Sequence, residues 1–376
     1  MTFSKHPKHP LMRLSASKPA FFLIAFNIIL LISLPDRARS QVTFSSAILP
    51  SGMDFTGTTS NGAVQVADFN NDGYQDFVYA IAGEGISYFQ NFNGVSFSTP
   101  TPHPFGALAT NPPAGTIFNS SSSVADFDGD GDLDIWIRIH GANNDIFFRN
   151  TGSTFTSVAL PAGMEYSPAT GSGTVKVEDI NRDGLPDIIY TSSVGGPIVY
   201  LQNNNGISFS TPAFNPFAAF QTSTPAGTTL NASADIADFD GDGDPDIWVR
   251  VQGPDNDVYL RNDNGTYLAA PALPGMDYEP VSVGTVKVGD LNGDGLADIF
   301  YLTGAGGSPV YLQNNNGSSF STPTPNPFSG IATVPASITS NTAMNLADMD
   351  GDGDIDIWSR LANAGNDFFA INNGTP

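Results

Sequence analysis

Short segments rich in apolar residues alternate along the chain with polar turns that contain Gly, Asn and Asp. Between residues 124 and 160 the predicted strands are Val124–Ala125, Ile135–Ile139, Asp145–Arg149 and Thr154–Leu160. The segment Ile135–Ile139 combines β-branched residues with a tryptophan, a composition typical of a strand. This group of four strands recurs at intervals of roughly 50–60 residues. The pattern predicts an all-β protein assembled from repeated four-stranded sheets.

An acidic loop of nine residues joins the first two strands of each repeat. Its six copies, loops 1 to 6, begin at Asp68, Asp126, Asp179, Asp238, Asp290 and Asp348. Every copy has Asp at positions one, five and nine and Gly at position six, whereas position three is Asn in the odd loops and Asp in the even loops. The starts are 58, 53, 59, 52 and 58 residues apart, and this alternation indicates three double repeats. Six such units predict a six-bladed β-propeller.

The spacing of the oxygen-bearing side chains suits a metal ion. Oxygens at positions one, three, five and nine can converge on one point if the backbone coils, and the Gly at position six permits that coil. Calcium fits this arrangement because it takes six to eight oxygen ligands, with the backbone carbonyl of position seven among them. The loop differs from an EF-hand, which needs Glu at position twelve, where loop 2 has Ile137. A solvated acidic turn is the alternative, and six matching copies make it the poorer interpretation.

We therefore predict six calcium ions, one in each blade, with five ligand residues in every loop. The predicted ligands are Asp68, Asn70, Asp72, Tyr74 and Asp76 in loop 1; Asp126, Asp128, Asp130, Asp132 and Asp134 in loop 2; Asp179, Asn181, Asp183, Leu185 and Asp187 in loop 3; Asp238, Asp240, Asp242, Asp244 and Asp246 in loop 4; Asp290, Asn292, Asp294, Leu296 and Asp298 in loop 5; and Asp348, Asp350, Asp352, Asp354 and Asp356 in loop 6.

The two ends of the repeat array predict how the ring closes. The last copy stops at Asn372-Asn373-Gly374, where the other copies begin their fourth strand. Residues 42–50 resemble the missing strand, since Leu-Pro-Ser-Gly52-Met53 follows them as Leu-Pro-Ala-Gly163-Met164 follows the fourth strand of the second copy. We expect the N-terminal strand to complete the last blade, which makes residues 41–376 one closed domain without an open sheet edge.

The first forty residues have the character of a secretory signal peptide. Basic residues precede an apolar run of fifteen residues, Ala20–Leu34, and Ala38-Arg39-Ser40 provides a cleavage site before Gln41. The alternative is an uncleaved N-terminal anchor. Cleavage would leave eight basic and thirty-six acidic side chains, a formal charge of −28 against −23 for the whole chain. We expect a secreted protein that is not an integral membrane protein after cleavage, and such a charge disfavours nucleic acid as a partner.

The loop Asp-x-(Asp/Asn)-x-Asp-Gly-x-x-Asp resembles that of the FG-GAP/VCBS repeat family, and the resemblance covers residues 41–376. It implies the calcium-binding β-propeller also found in integrin α-subunit heads. The Phe-Gly and Gly-Ala-Pro landmarks of the integrin version are poorly kept, and integrin heads have seven blades. The family includes lectins, adhesins and propeller parts of polysaccharide lyases, so the resemblance leaves the function open.

Three functions are compatible with the sequence. The first is an extracellular binding or adhesion module whose ligand is a glycan or a surface protein. Its expected ligand loops lie opposite the calcium loops at residues 141–145, 253–257 and 363–367, with the connection 106–122, although plain turns favour the same residues. The second is a purely structural, calcium-stabilised surface module.

The third and least favoured function is a polysaccharide-active enzyme. Without cysteine, and with only His103 and His140 after residue 40, the sequence offers few catalytic groups, and we expect no catalytic residues. Trp136, Trp248 and Trp358 could be sugar platforms, but packing between blades is the stronger interpretation.

Overall fold

The computed structural model of the protein describes residues 42–53, 63–81, 85–106, 118–139, 145–152, 154–165, 174–191, 198–213, 215–217, 234–249, 257–277, 284–303, 309–329, 331, 344–359 and 367–374. These residues form β-strands and connecting turns and contain no helix, so the all-β prediction is confirmed. Across the described ranges, no helix is long and apolar enough to cross a membrane.

The strands form six antiparallel sheets of four strands each, which are the blades. In chain order the strands are β1 (Phe44–Ser46), β2 (Ala63–Ala67), β3 (Asp76–Ile81), β4 (Gly85–Phe92), β5 (Ser96–Ser98), β6 (Phe118–Ala125), β7 (Asp134–Ile139), β8 (Ile146–Asn150), β9 (Phe155–Val158), β10 (Thr174–Glu178), β11 (Asp187–Thr191), β12 (Val199–Asn204), β13 (Ser208–Ser210), β14 (Ala234–Ala237), β15 (Asp246–Val249), β16 (Val258–Asp263), β17 (Thr266–Ala270), β18 (Gly284–Gly289), β19 (Asp298–Thr303), β20 (Pro309–Asn314), β21 (Phe320–Ser321), β22 (Met344–Ala347), β23 (Asp356–Ser359) and β24 (Phe368–Asn372). Blade 1 is β2–β5, blades 2 to 5 each take the next four strands, and blade 6 combines β22–β24 with β1.

Blade 6 combines both ends of the repeat array, as the sequence predicts. Its strand order is β22-β23-β24-β1, and β1 pairs with β24 in antiparallel register, with Phe44 opposite Asn372 and Ser46 opposite Ala370. The innermost strands β2, β6, β10, β14, β18 and β22 contact one another in sequence, and β22 contacts β2. The six blades therefore form a closed ring.

The blades pack through two alternating kinds of hydrophobic junction. In the even-to-odd junctions (blades 2/3, 4/5 and 6/1), a tryptophan on the second strand of the even blade is fully buried. In the odd-to-even junctions (1/2, 3/4 and 5/6), a phenylalanine that follows the odd blade takes this central place. Phe105 stacks on Phe155 with ring centroids 4.5 Å apart, and Phe328 stacks on Phe44 at 4.4 Å. The alternation confirms that the structural unit is a pair of blades.

The tryptophans serve packing, as the sequence interpretation expects. The indole N–H of Trp136 donates to Oδ2 of Asp145 at 3.0 Å, and Trp248 and Trp358 make the same bond to Asp257 and Asp367. These aspartates end the loops predicted to bind ligand, and this contact supports a structural role for them. The other residues of those predicted loops, 141–144, 253–256 and 363–366, lie outside the described residues, as do His140 and residues 107–117.

Candidate metal centres

Each acidic loop is coiled around the carboxylate of its first residue. In loop 2, Oδ1 of Asp126 accepts the N–H groups of Gly129 at 2.8 Å and Asp130 at 3.0 Å, while Oδ2 accepts the N–H of Gly131 at 2.9 Å. Gly131 has φ +96°, a value that favours glycine, and the glycines at position six of the other five loops have φ between +87° and +98°. Position six therefore produces the coil that the sequence predicts.

In the even loops the carboxylates of positions one, three and nine converge. One oxygen from each of these residues lies within 4.8 Å of the others. The three groups are Asp126, Asp128 and Asp134; Asp238, Asp240 and Asp246; and Asp348, Asp350 and Asp356. Their donor atoms are all oxygens, as a hard cation such as calcium requires. The even loops thus have a donor set that could hold a metal ion, and the odd loops repeat it with Asn at position three.

Positions five and seven have additional roles within the loops. In every loop the N–H of position seven donates to the carboxylate of position five, as Asp132 does to Asp130 at 3.0 Å. The side chains at position seven contact the neighbouring loop in five of the six loops. Oδ1 of Asp132 accepts a bond from Nδ2 of Asn71 in loop 1 at 2.9 Å. Leu185 of loop 3 packs against Gly129 of loop 2, where a Cβ would lie 2.9 Å from Leu185 Cδ2.

The aspartates at position nine are buried at the base of each loop. Oδ1 of Asp134 accepts the N–H of Asn150 at 2.8 Å, and its Oδ2 accepts the N–H of Phe127 at 3.2 Å. Burial, the largest cause, raises the pKa of these carboxyls to about 6 or about 7. Other loop carboxylates add to this rise, so a cation in the loop would relieve the cost of keeping all of them ionised.

A set of asparagines, not predicted from the sequence, supports the loops from the third strand of each blade. The backbone N–H of Asn203 donates to Asp187 at 2.8 Å, its Nδ2 donates to the Phe127 carbonyl of the preceding blade at 2.9 Å, and its Oδ1 accepts the N–H of Gly206. Five such residues, the bridging asparagines, reach the preceding blade in this way: Asn91, Asn150, Asn203, Asn314 and Asn372. Their signal was an Asn in every third strand, two or three residues before a Gly.

The sixth bridge is absent between blades 3 and 4. There Nδ2 of Asn262 donates to the Pro245 carbonyl of its own blade at 3.1 Å and to the Tyr267 hydroxyl at 3.2 Å. Tyr267 occupies the position of Phe155 in blade 2 and Phe44 in blade 6, neither of which has a hydroxyl to compete for the amide. The tyrosine thus redirects the asparagine away from blade 3.

A cavity of about 320 Å³ lies at this same junction. Apolar groups of Ile180 and Tyr200 and amides of Asn181, Gln202 and Asn264 line it. Arg182, also at the cavity, pairs with Asp244 and donates to the Gly243 carbonyl at 2.8 Å, which joins loop 3 to loop 4.

Five overlapping segments of the chain match the FG-GAP-like repeat: residues 68–137, 126–190, 179–249, 238–301 and 290–359. Each segment begins at an acidic loop and ends in the second strand of the next blade. The chain belongs to the FG-GAP-like repeat family. The resemblance inferred from the loops is therefore confirmed.

Similarity to individual proteins is more distant. Mouse cartilage acidic protein 1 is 29% identical over 199 residues, which are 50% of this chain and 28% of that protein. Chicken integrin alpha-V is 23% identical over 269 residues, 64% of this chain and 25% of that protein. The chain thus matches less than a third of the length of either relative.

Two solved structures share the fold. An Agrocybe aegerita lectin that recognises non-reducing terminal N-acetylglucosamine has a TM-score of 0.53 at 18% identity, with 84% of this chain and 80% of that chain covered. The Photorhabdus luminescens Tc holotoxin pore has a TM-score of 0.55 at 16% identity, with 89% of this chain and 14% of that chain covered.

Proposed function

We propose that this protein is a secreted, calcium-stabilised binding module that recognises a carbohydrate in the cavity between blades 3 and 4. The cavity is the observation that carries the proposal. Its volume of about 320 Å³ is in the range of small-molecule sites. Amides of Asn181, Gln202 and Asn264, with the half-buried rings of Pro212 and Pro216, offer the donors, acceptors and apolar surface that a sugar ring requires.

Calcium would stabilise this site through loop 3. Asn181 lines the cavity and is also the predicted ligand at position three of that loop, and the adjacent Arg182 contacts the cavity and loop 4. A calcium ion that fixes loop 3 would therefore fix part of the cavity wall, so sugar binding should require calcium. We propose one calcium ion in each of the six loops, because all six have the same coil and an equivalent set of oxygens.

The relatives support a binding role of this kind. The Agrocybe aegerita structure is that of a lectin, and the family includes an integrin, so a sugar or a protein ligand suits the fold. The cavity favours the sugar, because it is concave and small, whereas a protein partner generally buries a broader surface. Secretion fits the predicted signal peptide and the acidic surface, and it remains a prediction.

The proposal includes no catalytic step. Nδ1 of His103 accepts the backbone N–H of Phe105 at 3.2 Å, and burial lowers its pKa. This imidazole supports a turn at the odd-to-even junction, which is a structural use of the side chain. The buried aspartates at position nine have raised pKa values, but they belong to the metal loops.

The test is a glycan-array scan of the full chain in millimolar calcium, with an EDTA-treated sample for comparison. We expect saturable, calcium-dependent binding to one sugar class. The decisive variant is Ile180→Phe, which places in the cavity wall the residue that blade 1 has at the equivalent position, Phe69. It should fill the cavity and abolish sugar binding while the folded protein persists.

Leu291→Phe is the matched control, because it makes the same kind of change at the junction of blades 5 and 6. It should leave sugar binding unchanged. A blank array from calcium-loaded protein would overturn the proposal in favour of a protein-binding or purely structural module. Equal sugar binding by wild type and Ile180→Phe would overturn the assignment of this cavity.

A further inference from the structure

The innermost strand of every blade has a polar residue three positions before its acidic loop. In chain order these residues are Gln65, Ser123, Lys176, Asp235, Lys287 and Asn345. The innermost strands surround the propeller axis and contact one another in a ring. Two contacts between neighbouring strands show that side chains at this level meet: Lys176 Nζ lies 2.6 Å from Oδ1 of Asp235, and Nε2 of Gln65 donates to the Ser122 carbonyl at 3.0 Å.

Two lysines lie at this level of an otherwise acidic protein. Lys176 and Lys287 are the only lysines after residue 40 of the sequence, and both belong to the axial ring. The Lys176 charge is matched by Asp235, whereas Lys287 makes no hydrogen bond or ion pair with any described residue. Burial is the largest cause and, with the Lys176 ammonium, lowers the pKa of Lys287 to about 8, while the Asp235 carboxylate opposes this shift. Lys176, Asp235 and Lys287 together therefore carry one excess positive charge near neutral pH.

The next inner strand provides a second unused donor. Nδ2 of Asn345 is buried and has no hydrogen-bond partner among the described residues. It stands at the equivalent ring position on β22, beside β18, which carries Lys287. A buried amide that lacks a partner is destabilising, and a ligand that accepts its N–H would remove that penalty.

We propose that the axial cluster of Lys176, Asp235, Lys287 and Asn345 is a binding site for a small oxyanion. The anion would accept hydrogen bonds from the Lys287 ammonium and the Asn345 amide and would neutralise the one excess positive charge. An oxyanion suits two donors from different strands better than a single-atom anion does, because its oxygens can each accept one bond. The opposite charges of Lys176 and Asp235 hold neighbouring blades together around it.

The site can be tested with sodium sulfate and sodium acetate added to the full chain at constant ionic strength, with sodium chloride as the reference. Isotope-labelled lysine reports the binding by NMR, and Lys287→Gln identifies the signal of residue 287. We expect that signal to shift saturably with sulfate, acetate or both. A response to sulfate alone indicates a tetrahedral oxyanion, and a response to acetate alone indicates a carboxylate.

Lys287→Gln should weaken binding of the anion about tenfold or more, since it removes a charge-assisted hydrogen bond. Blade 1 already has Gln at this position, so the substitution suits the fold. Gln65→Lys, which adds a third cation to the ring, should strengthen binding, and the exposed control Arg261→Gln should not change it. If neither oxyanion shifts the lysine signals beyond the chloride reference, or if Lys287→Gln binds as wild type does, the proposal is wrong.

Discussion

Odd and even blades share one strand arrangement but differ where their loops meet. The odd loops have a large side chain at position seven, and it packs on the position-four glycine of the preceding even loop: Tyr74 on Gly351, Leu185 on Gly129 and Leu296 on Gly241. The even loops have Asp at position seven, and two of these aspartates pair with position four of the preceding odd loop. Each loop is therefore fitted to its neighbour, and the two kinds are not interchangeable.

The junctions between blades show the same division. Even-to-odd junctions are closed by a Leu-Pro-x-Gly-Met segment, shortened to Leu-Pro-Gly-Met between blades 4 and 5. Between blades 2 and 3 the N–H of Phe209 donates to the Ala162 carbonyl at 2.7 Å. A bridging asparagine crosses five of the six junctions, of both kinds, whereas at the junction of blades 3 and 4 Tyr267 captures the amide and a cavity is present. The double repeat builds the ring, while a departure from the repeat coincides with a cavity.

Calcium removal should have the largest effect, because it acts on odd and even loops together. Each site contributes about 2.7 kcal/mol to the free energy of unfolding when free calcium is 100 times its dissociation constant. We expect EDTA to lower the thermal unfolding midpoint by tens of degrees. The measurement is thermal denaturation in millimolar calcium and in EDTA, with magnesium as a control ion. An unchanged midpoint would contradict calcium binding in the loops.

The calcium-free protein should also respond to pH in an unusual direction. The position-nine carboxyls have pKa values of about 6 or about 7 in the folded chain, above the usual value of about 3.9 for an unfolded Asp. The folded state thus binds more protons between pH 4 and 7, and its stability should fall as the pH rises through about 6–7. Thermal melts in EDTA at pH 5 and pH 7.5 measure this, and higher stability at pH 7.5 would contradict it.

A pair of glycine substitutions tests how tightly turns and loops fit. Gly206 and Gly265 both have left-handed backbones, with φ +71° and +83°. A Cβ on Gly206 would lie 2.6 Å from the Asp128 Cα in the preceding even loop, whereas a Cβ on Gly265 would meet nothing within 4 Å.

Gly265→Ala should therefore lower the free energy of unfolding only by the backbone strain, about 1–2 kcal/mol. Gly206→Ala should lower it by about 1–3 kcal/mol more, because the new Cβ overpacks the preceding loop. Chemical denaturation of both variants in saturating calcium measures the difference. If both variants lose the same free energy of unfolding, the preceding loop moves aside without loss of stability.

Exchanging Asn and Asp at position three should convert one kind of loop into the other. The expected effect, a change in the calcium affinity of one site, is smaller than the effects above. Even loops have one more carboxylate than odd loops, so we expect three tighter and three weaker calcium sites, about tenfold apart. Asp128→Asn should move one site to the weaker class, and Asn181→Asp should move one to the tighter class. Calorimetric calcium titration counts both classes. Six indistinguishable sites in all three proteins would exclude position three as a ligand.

The repeat determined most of the fold. The six blades and the pairing of odd and even copies follow from the spacing of Asp68 and its five equivalents, and closure follows from the match between residues 42–50 and the strand that the last copy lacks. Periodic sequence carries this information because each unit must bury its faces against copies of itself. The coil around Asp126 and the burial of Trp136 were also predictable, because loop chemistry and apolar patterning depend on residues that are close together in the chain.

Only the tertiary structure decided which partner each polar side chain finds in the next blade. Asn203 and Asn262 occupy equivalent positions in the sequence, yet one bridges to blade 2 and the other is captured by Tyr267. Lys176 and Lys287 likewise share a position, and Asp235 forms its ion pair with the first. These outcomes depend on distances between strands that are far apart in the chain. A sequence motif specifies a side chain and its backbone, but packing determines which unsatisfied donors and acceptors come within hydrogen-bonding distance.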